Sequence, residues 1–289
     1  MTLVYCNICK NNSLSKVLLS YDTLDRWQSA AGILPKASNR QWVLCDHCGS
    51  IQNIMSDDDD LIALTKQNSQ YYKVDFDIQD LHRKYRLISE LPNSRSDNYH
   101  RCQRIYGAIQ QVLLSRLPGT FSVLDIGAGL GIFLDQLSDI LTNHGIDVYC
   151  HAVEPDPLAF SFISSQQRHT CHQVTFDSFI EPSLFNLITL NKVLEHTPDP
   201  AELLIQAKKL LLDSRSIIYV EVPSPLTINY RNKENGILGS LHNNLYSIPG
   251  LEILGLRSDL VLLSSGTINE PSGKISTYGF YVLDSYFNN

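Results

Sequence analysis

Apolar and polar positions follow a regular order from Phe121 to the end of the chain and predict strands and helices in turn. Seven short apolar segments are predicted to be strands: Ser122–Ile126, Val148–Glu154, Cys171–Phe176, Leu184–Leu190, Ser216–Val222, Asp259–Ser264 and Ile275–Asp284. Helices are predicted between them, among them Ile132 to about Leu141, one that opens at Pro157, and Pro200–Leu212. This alternation is typical of an α/β fold whose parallel sheet has right-handed crossovers. The last strand is expected to be antiparallel, as part of a hairpin.

The rest of the pattern divides the chain further. Residues 1–55 are interpreted as a small separate domain, residues 56–118 as a helical connector, and residues 119–289 as the domain that holds the sheet. The connector begins with the acidic run Asp57–Asp60, which favours a helix N-terminus, and continues with predicted helices at Ile78–Leu91 and Asp97–Leu117. Residues 223–250 are polar and are interpreted as an insertion over the ligand-binding edge of the sheet.

Length and charge narrow the class of protein. The 289 residues, 43% of them hydrophobic, suffice for one α/β core and a small appendage. The formal net charge of −7 argues against nucleic acid as the main partner, because nucleic-acid binding usually leaves a basic surface. No apolar run resembles a signal peptide or is long enough to span a bilayer. We therefore expect a cytoplasmic protein with no membrane partner.

Four of the seven cysteines form two C-x-x-C pairs, which are Cys6 with Cys9 and Cys45 with Cys48. In a reducing compartment this pattern favours a metal site over disulfides. A redox-active C-x-x-C is the alternative, and His47 is an alternative ligand. Four thiolates complete the tetrahedral coordination of Zn²⁺ and leave no open position, so the predicted zinc is structural. The sequence thus predicts a zinc-binding domain in residues 1–55.

A glycine-rich loop follows the first predicted strand of the sheet. The strand ends at Asp125 and Ile126, and the loop holds Gly127, Gly129 and Gly131 in the spacing G-x-G-x-G. Glycines let a backbone approach a ligand closely, and the helix N-terminus behind them is electropositive. The spacing differs from the dinucleotide fingerprint G-x-G-x-x-G. With the preceding acid, it resembles the first motif of class I S-adenosylmethionine (SAM) methyltransferases. A carboxylate beside the loop suits the positive sulfonium and amino-acid tail of SAM better than it suits the negative pyrophosphate of a dinucleotide.

Polar side chains at the ends of the other strands extend this predicted cofactor site, because ligands of open α/β sheets bind at the carboxyl ends of the strands. Glu154 ends the second strand and can accept hydrogen bonds from both ribose hydroxyls, with Pro155 directly after it. Asp177, or Phe176 by stacking, can contact the adenine, and Asn191 ends the fourth strand. The main rival cofactor is a nicotinamide dinucleotide. The glycine loop together with the acid on the next strand favours SAM.

Two segments together resemble the sugar C-methyltransferase family. Residues 187–200 read LITLNKVLEHTPDP and look like the segment around the fourth strand of many class I methyltransferases. Residues 45–52 read CDHCGSIQ and resemble the second zinc knuckle, C-x-x-C-G-x-x-Q, in front of such domains. The resemblance implies a Rossmann-like class I methyltransferase sheet. It also implies a SAM-dependent enzyme that acts on a small molecule. The expected substrate is a nucleotide-activated (keto)deoxysugar that is methylated on carbon or oxygen.

Two histidines are the candidate catalytic bases. Carbon methylation requires removal of a proton beside a ketone, and histidine titrates near the working pH. His196 lies at the predicted mouth of the sheet and His242 in the insertion. The family carries a Glu-His pair in this insertion, and the matching position here is Leu241-His242. The alternative for His196 is that it caps the following helix, and the alternative for His242 is an exposed loop position.

Two other function classes remain open from the sequence. One is an RNA methyltransferase whose zinc-binding domain binds RNA. The negative net charge of the chain argues against this class. The other is a methyltransferase-like protein that binds its ligands without activity.

Overall fold

The computed structural model describes residues 5–34, 40–55, 60, 62–64, 66, 71–72, 76–113 and 120–288. Most of the acidic run at 57–60 and the predicted helix end at Leu117 lie outside these residues. The strands are β1 (Leu14–Tyr21), β2 (Arg40–Cys45), β3 (Ile51–Met55), β4 (Thr120–Ile126), β5 (Asp147–Val153), β6 (Thr170–His172), β7 (Leu187–Asn191), β8 (Ile217–Pro223), β9 (Asn244–Leu245), β10 (Val261–Asn269) and β11 (Ile275–Val282). The α-helices are α1 (Arg26–Ala30), α2 (Ile78–Ser89), α3 (Asp97–Leu113), α4 (Ile132–Asn143), α5 (Pro157–Ser165), α6 (Pro200–Lys208), α7 (Thr227–Tyr230) and α8 (Ile248–Arg257).

The larger sheet has seven strands in the order β10-β11-β8-β7-β4-β5-β6. Strands β4 to β8 pair in parallel, whereas β11 pairs antiparallel with both β8 and β10. The order reverses beside β4, so the ends of β4 and β7 flank a crevice at which such sheets bind ligands. The predicted α/β fold, with a seven-stranded Rossmann-like sheet and an antiparallel last strand, is confirmed.

Alternation along β4 shows how the sheet is buried. Leu124 and Ile126 face the layer formed by α6 and α8, whereas Phe121 and Val123 face the layer formed by α3 and α4. All four side chains are buried, as expected for a central parallel strand covered by helices on both faces. This packing holds the carboxyl end of β4, and thus the glycine loop, in a fixed position.

A smaller antiparallel sheet joins the N-terminal unit to the insertion. Its order is β1-β2-β3-β9, and β9 comes from the segment predicted to be an insertion. Ile51 of β3 pairs with Leu245, and Gln52 with Asn244. Strand β9 of the insertion therefore completes the sheet of the N-terminal unit. The local sequence pattern did not indicate this long-range pairing. The division at residues 55 and 118 remains a prediction.

Helix boundaries differ from the predictions for identifiable reasons. Ser96 caps α3, because its hydroxyl oxygen accepts a hydrogen bond from the Tyr99 amide at 3.1 Å. The Asp97 carboxylate instead accepts hydrogen bonds from the amide and hydroxyl of Ser272. Helix α6 ends at Lys208, earlier than the predicted Leu212. Among the described residues, no helix is long and apolar enough to cross a membrane.

Candidate functional site

The glycine loop between β4 and α4 requires glycine at the positions that face the ligand crevice. Gly127 and Gly129 have φ angles of 70° and 56°, in the left-handed region. A Cβ on Gly127 would lie 2.7 Å from Val193 Cγ2, and one on Gly129 would lie 2.9 Å from the Tyr72 hydroxyl oxygen. The loop backbone is therefore bare where a ligand would approach it.

Gly131 has a different role from the two glycines before it. It also has a positive φ, 75°, but a Cβ there would lie 2.7 Å from Ile163 Cδ1 in α5. Gly131 does not contribute to the cavity wall described below. This glycine lets α4 begin close against α5. The contact of Gly131 with the cofactor stays a prediction.

Glu154 at the end of β5 holds the loop from the other side. One carboxylate oxygen accepts a hydrogen bond from the Gly129 amide at 2.6 Å, and the other accepts from the Asp156 amide at 2.8 Å. Burial raises the pKa of Glu154 to about 7, against the lowering effect of those two hydrogen bonds. Its oxygens retain lone pairs for further donors, as the predicted contact with two ribose hydroxyls requires.

Asp125 lies beneath the loop and not at the cavity wall. Only 2% of it is exposed, and its carboxylate accepts hydrogen bonds from Thr189 Oγ1 at 2.6 Å and Asn191 Nδ2 at 3.2 Å. Burial raises its pKa to about 6. The carboxylate ties the end of β7 to that of β4 and positions Asn191, which lines the cavity described below. The contact of Asp125 with SAM stays a prediction.

A single cavity of about 1080 Å³ lies over the carboxyl ends of the parallel strands. It brings together eight of the ten predicted cofactor and catalytic residues, Gly127, Gly129, Glu154, Pro155, Asp177, Asn191, His196 and His242. Ligand pockets typically measure about 300–1,000 Å³. The cavity is therefore large enough for two small molecules side by side, as a group-transfer reaction requires.

Two backbone carbonyls orient the two candidate bases. The Nδ1 atom of His196 lies 3.0 Å from the Leu241 carbonyl oxygen, and that of His242 lies 2.7 Å from the Ile237 carbonyl oxygen. Since a carbonyl only accepts, each Nδ1 carries the proton and each Nε2 of the neutral ring has a free lone pair. The two rings meet edge to face with centroids 4.7 Å apart. Both alternatives, a helix cap and an exposed loop position, are inconsistent with these contacts.

Partial burial favours the neutral form of both histidines. It lowers the pKa of His196 to about 4 and that of His242 well below the ordinary value. The proximity of His196 lowers the pKa of His242 further. At neutral pH each ring can therefore accept a proton at Nε2 without first losing one.

Glu195 is a site residue that the sequence reasoning missed. It is fully buried, and neither carboxylate oxygen has a hydrogen-bond partner within the described part of the chain. One of its oxygens and one nitrogen of each of His196 and His242 all lie within 4.8 Å of one another. Burial raises the pKa of Glu195 to about 8, so the carboxyl is largely protonated at pH 7. The signal was present in the LEH letters of residues 194–196, but burial without a partner is visible only in three dimensions.

Aromatic residues from outside the larger sheet close the cavity. Trp27 of α1 and Tyr71 stack with ring centroids 4.8 Å apart, and both line the cavity together with Tyr72. The N-terminal unit therefore forms part of the wall of the site.

The four N-terminal cysteines converge on one point. Cys6 Sγ lies 3.7 Å from Cys48 Sγ, Cys9 Sγ lies 3.6 Å from Cys45 Sγ, and the four sulfur atoms all lie within 4.8 Å of one another. A tetrahedral zinc site with bonds of about 2.3 Å separates its sulfur atoms by about 3.8 Å. The hydrogen bond between the two thiols lowers the pKa of Cys48 and raises that of Cys6, so the proton of this pair stays on Cys6 when no metal is bound. Geometry and donor chemistry therefore fit a closed Zn²⁺ site.

These features define a class: a Rossmann-like sheet, a bare glycine loop and an acid on the neighbouring strand form the fold and site of class I SAM-dependent methyltransferases. The chain belongs to the family described as "Methyltransferase domain", whose model matches residues 61–260. The predicted SAM-dependent methyltransferase is confirmed at the level of this class. A search of curated proteins found no match.

Solved structures share this fold at low sequence identity. The plantazolicin methyltransferase BpumL, in complex with a triazolic desmethylPZN analog and SAH, is 16% identical with a TM-score of 0.55, covering 78% of this chain and 99% of its own. A SAM-dependent methyltransferase from Clostridium acetobutylicum is 11% identical with a TM-score of 0.51, covering 71% and 98%. Magnesium protoporphyrin IX methyltransferase from Synechocystis, with bound SAH, is 12% identical with a TM-score of 0.52, covering 71% and 94%.

The Glu154→Ala variant is expected to bind SAH about 10- to 100-fold more weakly, as hydrogen bonds to a charged group contribute about 1.5–3 kcal/mol. Asp125→Ala is expected to weaken binding less, because it acts through Asn191. Titration calorimetry measures both. Asp139→Asn, on the exposed side of α4, serves as the control. Unchanged affinity in both Glu154→Ala and Asp125→Ala would contradict the cofactor assignment.

Proposed function

We propose that this cavity binds SAM beside a small-molecule substrate, and that the substrate is a nucleotide-activated (keto)deoxysugar methylated on carbon or oxygen. The observation that carries the proposal is the pair of neutral histidines, each with a free Nε2, in the same cavity as the glycine loop. A proton acceptor beside the cofactor is what methylation of a carbon next to a ketone, or of a hydroxyl, requires.

Residues of the strand ends are suited to hold the cofactor. The backbone of Gly127 and Gly129 would face its methionine part, Glu154 would accept from the ribose hydroxyls, and Asp177 with its neighbour Phe176 would border the adenine. When bound, SAM supplies a methyl group already activated on a sulfonium. The protein's largest contribution is then positioning, worth up to about 7–11 kcal/mol.

His196 and His242 are proposed to move the substrate proton. Because each Nδ1–H is engaged by a backbone carbonyl, the ring cannot rotate freely, and both rings line the cavity. Glu195, protonated at neutral pH, can donate a hydrogen bond to a ring nitrogen or to a substrate oxygen. General-base catalysis of this kind contributes about 10²–10⁴-fold to the rate.

Cations at the cavity favour a substrate with an anionic part. Arg231 and Lys274 line the cavity beside the hairpin between β10 and β11, and Arg231 also donates to the Gly273 carbonyl oxygen. Arg26 of α1 also lines the cavity. A diphosphate that links a nucleotide to a sugar is the kind of group such side chains recognise. This arrangement, together with the family resemblance of residues 45–52 and 187–200, supports the nucleotide sugar.

The four-cysteine cluster is proposed to hold a structural Zn²⁺. All four ligands come from the protein, so no position remains for substrate or water. Cys6, Cys45 and Cys48 belong to the same buried cluster as the α6 and α8 face of the larger sheet. The zinc therefore stabilises the attachment of the N-terminal unit, which supplies Trp27 to the cavity wall.

Methyl transfer from labelled SAM to two pools tests the proposed substrate. One pool contains nucleotide sugars, including 4-keto-deoxysugars, and the other contains total cellular RNA. We expect label in the sugar pool, and NMR of the product distinguishes carbon from oxygen methylation. Label in RNA alone would overturn the proposal and would make the zinc unit an RNA-binding element. Label in neither pool, with SAH still bound in calorimetry, would also contradict the sugar substrate while preserving the cofactor site.

A further inference from the structure

We propose that His151, His172 and Glu181 form a second metal site, distinct from the four-cysteine cluster, that binds Zn²⁺ through two imidazoles and one carboxylate. The site lies on strands β5 and β6 and the loop that follows β6. No step of the methyl-transfer proposal uses these three residues.

The three donor atoms are spaced as ligands of one ion. His151 Nδ1 lies 3.3 Å from His172 Nε2, and each of these nitrogens lies 3.9 Å from the same oxygen of Glu181, Oε2. A triangle with those sides has a point about 2.2 Å from every corner, and zinc bonds to imidazole nitrogen and carboxylate oxygen measure about 2.0–2.2 Å. An ion can therefore sit among the three atoms without movement of the backbone.

Neighbouring groups hold the donors in place. The other Glu181 oxygen accepts hydrogen bonds from the amide and hydroxyl of Ser183 at 3.2 and 2.8 Å, which points Oε2 toward the histidines. The two histidine rings stack at 5.4 Å, with the edges of Phe185 and Phe179 against them.

The donor set selects the kind of ion. Two imidazoles and one carboxylate suit Zn²⁺ and its first-row neighbours, whereas Mg²⁺ and Ca²⁺ prefer oxygen ligands alone. All three side chains are partly exposed, with 14–24% of their surface accessible, so an ion can enter from solvent. Three protein ligands leave a fourth position for water or an anion.

A metal ion bound by these three residues would stabilise one wall of the large cavity. The segment between His172 and Glu181 carries Thr175, Phe176 and Asp177, which line the cavity. An ion that joins both ends of this segment to His151 on β5 would hold it against the sheet. The site is therefore expected to stabilise the fold whether or not SAM is the cofactor.

Metal counting on the whole chain tests the proposal. Equilibrium dialysis with Zn²⁺, and parallel titration with Co²⁺ followed by absorption, separate the two sites, since only thiolate ligands give an intense charge-transfer band in the near ultraviolet. Dialysis counts all bound ions, and the charge-transfer band counts those bound by thiolates. We expect the first number to exceed the second by one ion per chain. His172→Ala is expected to weaken its binding by at least about 100-fold, more than loss of an outer-shell partner costs. The nearly isosteric Glu181→Gln is expected to weaken it as well while preserving the fold.

His100→Gln, an exposed histidine elsewhere, is the matched control and should leave the count unchanged. The proposal is overturned if the native chain binds only thiolate-linked metal, or if His172→Ala and Glu181→Gln bind as much as the native chain. Either result would leave a simple hydrogen-bonded histidine pair. The additional ion is the difference between total bound metal and thiolate-bound metal. If only the cysteine site fails to bind, the charge-transfer band is absent while the additional ion is still counted.

Discussion

Removal of zinc from the four-cysteine cluster is expected to destabilise the whole chain and not only residues 1–55. Structural zinc contributes about 10–16 kcal/mol of apparent binding free energy in small zinc domains, as much as the entire stability of a typical domain. Cys6, Cys45 and Cys48 are buried in one cluster with Leu251 and Leu254 of α8. Loss of the ion therefore leaves like-charged or unpaired sulfur atoms inside the shared core.

Differential scanning calorimetry with and without a strong chelator measures this effect. A net loss of about 5 kcal/mol corresponds to a fall in Tm of about 10–20 °C for a chain of this size. Cys48→Ser is expected to reproduce it, while Cys171→Ala, a half-buried cysteine outside the cluster, should leave the zinc content unchanged. Fewer than one zinc per chain in carefully prepared native protein would contradict the site.

The His242→Asn variant is expected to lower kcat by about 10²–10⁴-fold while SAH affinity stays unchanged. Asparagine keeps a donor near the position of Nδ1, so the hydrogen bond to the Ile237 carbonyl oxygen can persist, but the Nε2 lone pair is lost. His196→Asn tests the second ring in the same way through the Leu241 carbonyl oxygen. The proposed sugar substrate and labelled SAM give the rates, and His100→Gln is the control.

The pH dependence follows from the same geometry. A base acts when unprotonated, so the rate rises with pH through the pKa of the base and is level above it. Burial lowers the pKa of His196 to about 4, so kcat/KM should stay level from neutral pH well below the ordinary histidine value of 6.5. A second change is expected near pH 8, where Glu195 ionises, and Glu195→Gln should abolish it.

Unchanged turnover in both asparagine variants would remove the two histidines from the mechanism. An acid limb near 6.5 in the native enzyme would contradict the lowered pKa of His196. A fall in both turnover and SAH affinity would assign the histidines to positioning of the site rather than to proton transfer.

Short-range features of the chain were predictable because they depend on local chemistry. The seven strands of the larger sheet follow from apolar runs bounded by turn residues, with boundaries shifted by a few positions. The glycine loop could be located because left-handed backbone at Gly127 and Gly129 requires glycine whatever surrounds it. The two C-x-x-C pairs could be assigned to one predicted metal site because the spacing within each pair lets both thiols point toward the same ion.

Long-range contacts were not predictable in this way. The placement of Asp125 beneath the loop depends on Thr189 and Asn191, more than sixty residues away in sequence. The pairing of β3 with β9 joins segments almost two hundred residues apart. Nothing local in either segment specifies such partners, since a strand edge presents the same backbone donors and acceptors to any neighbour.

The sequence by itself determined the class of fold, the glycine loop, the acid on the second strand of the larger sheet and the two C-x-x-C pairs, because each rests on a periodicity or a spacing. Tertiary structure alone decided which polar groups are desolvated together. The buried carboxyl of Glu195 beside two histidines, the stack of Trp27 on Tyr71 and the convergence of His151, His172 and Glu181 depend on everything that packs around each residue.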